Sequence, residues 1–436
     1  MGIVQASIPL FFLLIALELL WSRATGNRVV RLNDSLSDLS CGILSQLAGI
    51  FTKLFTIGIF IWVGEHLALQ LFVPAVPLWA ERAPFFGAVG FPGFGVDGVA
   101  LLSWSAVFVL VDFCYYWSHR YAHEVNILWA GHVVHHSSEE YNLPVALRQS
   151  ALHGMMSWIF YIPLALIGVP WRMFVACNAI NLVYQFWIHT RAIARLSPFG
   201  ELVLNTPSHH RVHHGVNPQY QDKNYAGVFI VFDRWFGTFE PEIDAPVYGI
   251  TKPLQSWNPL WANVHVFVQI ARDSWQARRW ADKLRIVFGH PGWKPVDLGE
   301  IERPRDVSVA TFKKYDPRVP APLAWYAFAQ FAVALVAAFV LLQKAGSLPL
   351  AQSGVGAFFV AVALAGVGGV FENAKWAGTL ETARQVTMVA GCGWLLWTGL
   401  GSVSLAVAGI AFAVVSLVVL TRYRGALTET ELAPLM

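Results

Sequence analysis

An apolar run leads directly into a group of histidines over residues 98–136, which read GVALLSWSAVFVLVDFCYYWSHRYAHEVNILWAGHVVHH. The first part of this stretch has the length and composition of a helix that crosses a bilayer. Asp112 is the only charged residue between 98 and 117, and an ionisable group inside a membrane helix is costly and usually functional. The stretch therefore predicts a membrane helix that ends in a cluster of imidazoles.

The rest of the chain has the same apolar character. Of its 436 residues 56% are hydrophobic and only 13% are charged, whereas a soluble domain carries about a quarter charged residues. The net charge of +3 gives no indication of nucleic acid as a partner. We therefore predict an all-α integral membrane protein, a multi-span helical bundle. Apolar runs that could span a bilayer lie near residues 3–21, 43–63, 98–117, 151–170, 172–188, 321–343, 353–371, 385–400 and 403–421.

The positive charges predict the orientation. More than half of the 30 Lys and Arg residues fall in the polar stretch 189–319. Segments rich in Lys and Arg remain on the cytoplasmic side of a membrane. We therefore expect a multi-pass protein of a bacterial inner membrane or the endoplasmic reticulum, with its histidine-rich domain on the cytoplasmic face.

Eleven of the 14 histidines fall between residues 119 and 214, and nine of them follow a pattern. Residues three or four apart share a helix face, whereas adjacent residues point about 100° apart and can serve two different ions. Nine imidazoles exceed the four ligands of a zinc ion, so the pattern predicts a di-metal site. Ligand type alone leaves Fe, Zn, Cu and Ni open. The nine are His119 and His123, then His132, His135 and His136, then His189 alone, and finally His210, His213 and His214.

Two acidic residues are candidates for a catalytic or supporting role. Asp112 lies two helical turns before His119, and Glu124 directly follows His123. A metal-bound imidazole usually donates its second N–H to a carboxylate or carbonyl. His209 stays undecided, because the spacing is complete without it, and His153 is interpreted as structural. The remaining histidines, His66, His265 and His290, are not expected to be ligands.

The motifs and their surroundings resemble the fatty acid hydroxylase/sterol desaturase superfamily over roughly residues 40–300. The matching text is HRYAHEVNILWAGHVVHHSSEEYNLPVALRQS from His119 and NTPSHHRVHHGVNPQYQDKNYAG from Asn205. The likeness is greatest to the branch that oxidises alkylglycerols. It implies two iron ions held by the nine histidines and O2-dependent hydroxylation of an alkyl C–H, with tetrahydrobiopterin as the reductant in that branch. Glu124 matches a glutamate that matters there.

The resemblance also implies a division of the chain and a set of partners. We predict N-terminal membrane helices and a connecting loop over 1–97, the di-metal catalytic domain over 98–319, and a C-terminal four-helix membrane bundle over 320–436. The partners are a membrane lipid, O2 and an unidentified electron donor. The lipid could be an alkylglycerol, oxidised at its ether-linked carbon. The alternatives are a sterol, sphingolipid or carotenoid hydroxylase or desaturase and, from another class, a metal transporter, which would carry ligands in the middle of several spans.

Overall fold

The computed structural model describes residues 3–71, 79–81, 97–299, 307 and 309–427. Regular structure within these ranges is helical, apart from isolated bridges between Leu204 and Phe229 and between Gly215 and Tyr248. The α-helices are α1 Ile3–Thr25, α2 Leu32–His66, α3 Gly98–Glu124, α4 Asn126–Ala130, α5 Val133–His136, α6 Leu143–Ala146, α7 His153–Ser157, α8 Ile162–Leu166, α9 Trp171–Trp187, α10 Pro198–Val203, α11 Pro207–His213, α12 Val231–Phe236, α13 Pro259–Gln276, α14 Trp280–Phe288, α15 Ala321–Lys344, α16 Leu350–Phe371, α17 Ala377–Thr398 and α18 Val403–Arg422. Short 3-10 turns cover Leu69–Leu71, Trp158–Tyr161, Pro218–Tyr220, Val296–Leu298 and Gly425–Leu427.

Six helices among the described residues are long and apolar enough to cross a membrane. They confirm the prediction of an all-helical membrane protein with several spans. The apolar windows are Ala6–Thr25, Leu32–His66, Gly98–Glu124, Ala321–Lys344, Leu350–Phe371 and Val403–Arg422.

The predicted span at 151–170 is wrong. The segment forms α7, a 3-10 turn over Trp158–Tyr161 and α8, instead of one continuous helix. Pro163 lies at the start of α8, and a proline has no N–H to donate to the carbonyl of the preceding turn. Average hydropathy does not register this interruption, although the residues around it are apolar.

Two further predicted spans form helices that are too short or too polar to count among the candidate membrane spans. The run at 172–188 is α9, whose 17 residues extend only about 26 Å at 1.5 Å per residue. The run at 385–400 lies within α17, which begins earlier, at Ala377, and carries Glu381 and Arg384 in its first turns. Neither α9 nor α17 is among the six candidate spans.

The first of two compact units comprises residues 1–31, 48–253 and 263–312. Asp97 begins α3 by accepting hydrogen bonds from the backbone N–H groups of Val99 and Ala100, both at 3.1 Å. α3 packs against α9, and α9 in turn contacts α1, where the rings of Phe11 and Phe186 stack with centroids 4.2 Å apart. These three helices position the short segments that carry the histidines.

The second compact unit comprises residues 32–47, 254–262 and 313–436. Each of α15 to α18 contacts the next, and α18 also contacts α15. Glu381 is fully buried among them and accepts hydrogen bonds from Arg384 at 3.0 and 2.6 Å. Arg384 also donates to Gln330 at 2.6 Å, and Tyr326 donates to Glu381. The bundle is thus joined by a polar network in its interior. The predicted boundaries at residues 97 and 319 stay predictions.

Candidate metal centre

The nine patterned histidines come together in two groups. In each group the candidate ligand nitrogens lie within 4.8 Å of one another, and every one of the nine residues is buried. Neither group contains a carboxylate or a cysteine among the described residues. The first group is His119, His123, His132, His136 and His213, and the second group is His135, His189, His210 and His214.

The local helices explain this division. His119 and His123 lie one turn apart near the end of α3 and join the same group. His135 and His136 are adjacent in the short helix α5 and enter different groups. His213 and His214 separate in the same way at the end of α11. The sequence pattern predicted that adjacent imidazoles would serve two different ions, and their placement follows that pattern.

Backbone carbonyls fix the outer nitrogen of four imidazoles. A carbonyl can only accept a hydrogen bond, so each of these rings must donate from Nδ1. A neutral ring that donates from Nδ1 carries a lone pair on Nε2. The four pairs are His119 Nδ1 to Tyr225 O at 2.7 Å, His135 Nδ1 to Arg148 O at 3.0 Å, His189 Nδ1 to Gln185 O at 2.7 Å, and His213 Nδ1 to Lys223 O at 2.9 Å.

The inner nitrogens approach one another too closely for an empty site. The Nε2 atoms of His135 and His189 lie 3.2 Å apart, although both rings carry their proton on Nδ1. Two lone pairs at this distance repel unless a cation lies between them. The Nε2 atoms of His189 and His210 are 2.9 Å apart. Such spacing suits two imidazoles that share one ion through metal–nitrogen bonds of about 2.1 Å, so these residues fit a bound metal.

Burial keeps the imidazoles neutral. It lowers the pKa of His213 to about 4 and that of His189 to about 3. It also lowers the pKa of His135 and His210 well below the usual value for histidine. At neutral pH these rings therefore offer lone pairs rather than positive charge, which is the state that a metal ion requires.

Asp112 is linked to the imidazoles through the backbone of a neighbouring loop. Its carboxylate accepts hydrogen bonds from the Asn181 side chain at 2.6 Å and from the backbone N–H groups of Val228 and Phe229 at 2.9 and 2.8 Å. These contacts hold the loop that follows Tyr225 against α3. The Tyr225 carbonyl in turn accepts from His119, so Asp112 helps to position that ring.

Glu124 lies outside both histidine groups, at the end of α3. Its Oε1 accepts a hydrogen bond from Arg120 Nε at 2.9 Å, and a third of its side chain is exposed. The roles predicted for Glu124 and Asp112 in catalysis stay predictions.

The other histidines lie outside both groups. His209, which the sequence left undecided, lies outside both groups with its Nε2 3.0 Å from Oε2 of Glu201. His290 is exposed and lies 3.4 Å from Asp222. His153 is also outside, but its ring centroid lies only 5.5 Å from that of His132.

Sequence reasoning missed two residues that support the site. Glu18 of α1 accepts hydrogen bonds from the Thr190 hydroxyl at 2.5 Å and from the backbone N–H of Leu143 at 2.7 Å. A carboxylate inside an apolar span was a signal that could have identified it. Tyr141 stacks against His189 with centroids 5.8 Å apart, and nothing in the sequence pattern indicated that contact.

The comparisons with known proteins agree with this geometry. A family model described as fatty acid hydroxylase matches residues 104–238, a range that includes all nine grouped histidines. The fold and the site thus define a membrane-bound hydroxylase class. No solved structure gives a significant match.

Individual relatives show which family of these hydroxylases the chain belongs to. Alkylglycerol monooxygenase of Xenopus tropicalis is 36% identical over 383 residues, which cover 87% of this chain and 80% of the relative. The human enzyme of the same name is 42% identical over 293 residues, which cover 67% of this chain and 60% of the relative. The chain belongs to the alkylglycerol monooxygenase family, and it is a hydroxylating oxidoreductase. Ornithine lipid hydroxylase of Rhizobium tropici is 30% identical over 146 residues, which cover 33% of this chain and 44% of the relative.

Proposed function

We propose that the nine histidines hold two iron ions and that the protein hydroxylates the ether-linked carbon of alkylglycerols with O2. One observation carries the metal part of the proposal: the unprotonated Nε2 atoms of His135 and His189 face each other at 3.2 Å. When bound, a pair of iron ions would supply the activation of O2 that no amino-acid side chain provides. The names of the relatives support the substrate.

The protein's own residues prepare the site for this reaction. Carbonyl anchors orient four of the imidazoles, and burial excludes water from all nine. His119 and His123 lie at the end of α3, a candidate membrane span, so the two groups lie within reach of a lipid chain. We further propose that tetrahydrobiopterin supplies the electrons and that the site faces the cytoplasm. The first rests on the family resemblance, and the second on the Lys and Arg residues of 189–319.

A second candidate is hydroxylation of a different lipid. It is favoured by the ornithine lipid hydroxylase among the relatives, although that match covers only a third of this chain. The two candidates share the metal site and differ only in the lipid.

An assay with purified, iron-loaded protein tests the proposal. Alkylglycerols, the matching ester lipids, sterols and ornithine lipids are supplied in separate reactions with O2 and either a tetrahydropterin or a ferredoxin-type donor. We expect the ether lipid alone to be converted. Hydroxylation of the carbon next to its ether oxygen gives a hemiacetal, which breaks down to an aldehyde and a glycerol. Turnover only with sterols or ornithine lipids, or only with a ferredoxin-type donor, would contradict the assignment.

A further inference from the structure

A small cavity lies beside the first histidine group and takes no part in the proposed metal binding. It is bounded by α3, α4 and the broken segment around α7. Its volume of about 10 Å³ is room for roughly one water molecule. The residues that line it include Ser118, Ala122, His153, Met156, Ser157 and Phe160.

One residue of the cavity wall, His153, lies close to the first histidine group. His153 lines the cavity, and its ring centroid is 5.5 Å from that of His132 in the first group. The His132 ring is in turn 5.6 Å from His135 in the second group. No hydrogen bond from the His153 ring to another side chain or carbonyl is found in the part of the chain that the structure describes. A polar ring with free hydrogen-bonding capacity therefore lies beside the metal-binding residues.

Another residue of the cavity wall, Phe160, belongs to an aromatic pair near the apolar surface. Phe160 of the cavity wall stacks on Tyr121, with ring centroids 5.6 Å apart. Tyr121 is 40% exposed, and the neighbouring Ile159 and Met155 are 57% and 39% exposed. In a chain that spans a membrane, exposed apolar side chains of this kind contact lipid. The cavity wall thus contacts side chains that belong to the exposed apolar surface.

The interruption of the helix between α7 and α8 also fits a passage. A continuous apolar run usually forms one helix in a membrane. Irregular backbone is tolerated at that depth only where it is buried in protein or lines a cavity. Here the chain breaks into short helical segments at the residues that form the cavity wall.

We propose that this cavity admits the substrate's alkyl chain from the bilayer and that His153 positions the ether oxygen by donating a hydrogen bond to it. The inference rests on the proposed function, because it takes the substrate to be a lipid ether. Met156 and Phe160 must move for the chain to enter. Met156 is unbranched and has three rotatable side-chain bonds, which suits a residue that swings aside.

Photolabelling tests the passage without requiring turnover. The probe is an alkylglycerol with a diazirine near the ether end of its chain, in vesicles that contain the full-length protein. We expect labels on peptides that include residues 118–122 and 153–160, with or without iron. Ala122→Phe fills the cavity and should abolish the label. Val109→Phe adds the same ring to α3 at an exposed position and should leave the label in place.

Kinetics test the role of His153 and the width of the passage. His153→Phe should keep the bound metal but raise the KM for alkylglycerol by about 3- to 10-fold, the loss expected for one hydrogen bond. His153→Gln, which can still donate, should recover most of it. The inhibition constant of a competitive analogue with a methylene in place of the ether oxygen should not change. Met156→Ala should widen the range of chains accepted, and it remains informative if Ala122→Phe does not fold.

The outcomes separate this inference from the proposed function. A wild-type protein that converts no ether lipid contradicts the proposed function itself. An active wild-type protein whose label and KM are unchanged by Ala122→Phe, Met156→Ala and His153→Phe contradicts the passage. Loss of metal in His153→Phe, with no rescue by His153→Gln, would instead make His153 part of the metal site and would also overturn the positioning role.

Discussion

The protein contains two buried clusters of polar side chains, and the two clusters differ in how their charges and lone pairs are balanced. In the bundle of α15 to α18, Glu381 meets Arg384 and Tyr326, so a negative charge is matched by a positive charge and by hydrogen-bond donors. In the histidine groups, nine neutral rings face one another and neither group includes a carboxylate. The first arrangement is balanced by side chains of the bundle itself, whereas the lone pairs of the second fit a bound cation.

This difference shows why burial alone does not identify a functional site. A buried ion pair can serve structure only, and it is strongly destabilising to break because one charge is left without its partner. A buried set of acceptors that point at one another fits a bound cation. The contrast can be tested by removing one member of each region.

The largest effect is expected from His135→Ala in the second group. Purified wild-type protein should contain about two metal ions per chain, because its ligands divide into two groups. Loss of His135 should remove at least one ion and should lower turnover by more than the 10- to 100-fold typical of an outer-shell partner. Metal analysis and the lipid assay measure both quantities. His66→Ala, which removes an exposed imidazole outside both groups, is the control. Unchanged metal content in His135→Ala would refute the two-ion site.

A smaller effect, confined to stability, is expected from Glu381→Ala in the bundle. The side chain is fully buried and that of Arg384 is only 13% exposed, so the change leaves an unpaired buried charge and should cost about 3–5 kcal/mol. Denaturation of the protein in detergent measures the loss, and Glu381→Gln serves as the milder comparison. The metal content should not change. If it fell while the bundle remained folded, the bundle would belong to the metal site.

The smallest effect on stability is expected at the partly exposed ion pair between Glu124 and Arg120. Exposed i,i+4 pairs contribute about 0.3–0.5 kcal/mol. Glu124→Gln and Arg120→Gln break the same ion pair and should each alter stability little, with the larger loss for Arg120→Gln because Arg120 also donates to the Tyr116 hydroxyl at 3.4 Å. If Glu124 has the proposed catalytic role, only Glu124→Gln will lower turnover at full metal content. Equal activity in the two variants would remove Glu124 from the proposed site.

The grouping of the histidines could be predicted because helix geometry is a local property. The separation of His135 from His136 needs only the angle between successive residues. The anchors of the rings could not be predicted, because they are backbone carbonyls that any residue type could supply. The contact of Asp112 with the backbone of Val228 and Phe229 could not be predicted either, because these residues lie more than a hundred positions away in the sequence.

The helices themselves were predictable only as far as hydropathy determines them. The runs at 98–117 and 403–421 form long helices, as their composition indicated. The run at 151–170 is equally apolar but breaks into short segments, because Pro163 interrupts the hydrogen-bonding pattern. His153 was interpreted as structural because it stands alone in that apolar run, and its proximity to His132 depends on the break. The break that made the span prediction wrong is therefore also the reason why the position of His153 beside His132 could not be predicted.

The backbone anchors of the imidazoles also bear on how the protein is made. The last carbonyl that fixes a ring belongs to Tyr225, and its loop is held by Asp233, which accepts from the N–H groups of Tyr225 and Ala226 at 2.8 Å. All of these residues have been translated when nearly half of this sequence has still to be synthesised. The nine histidine side chains can therefore begin to assemble into their two groups while the chain is still growing, before any residue of α15 to α18 has been synthesised.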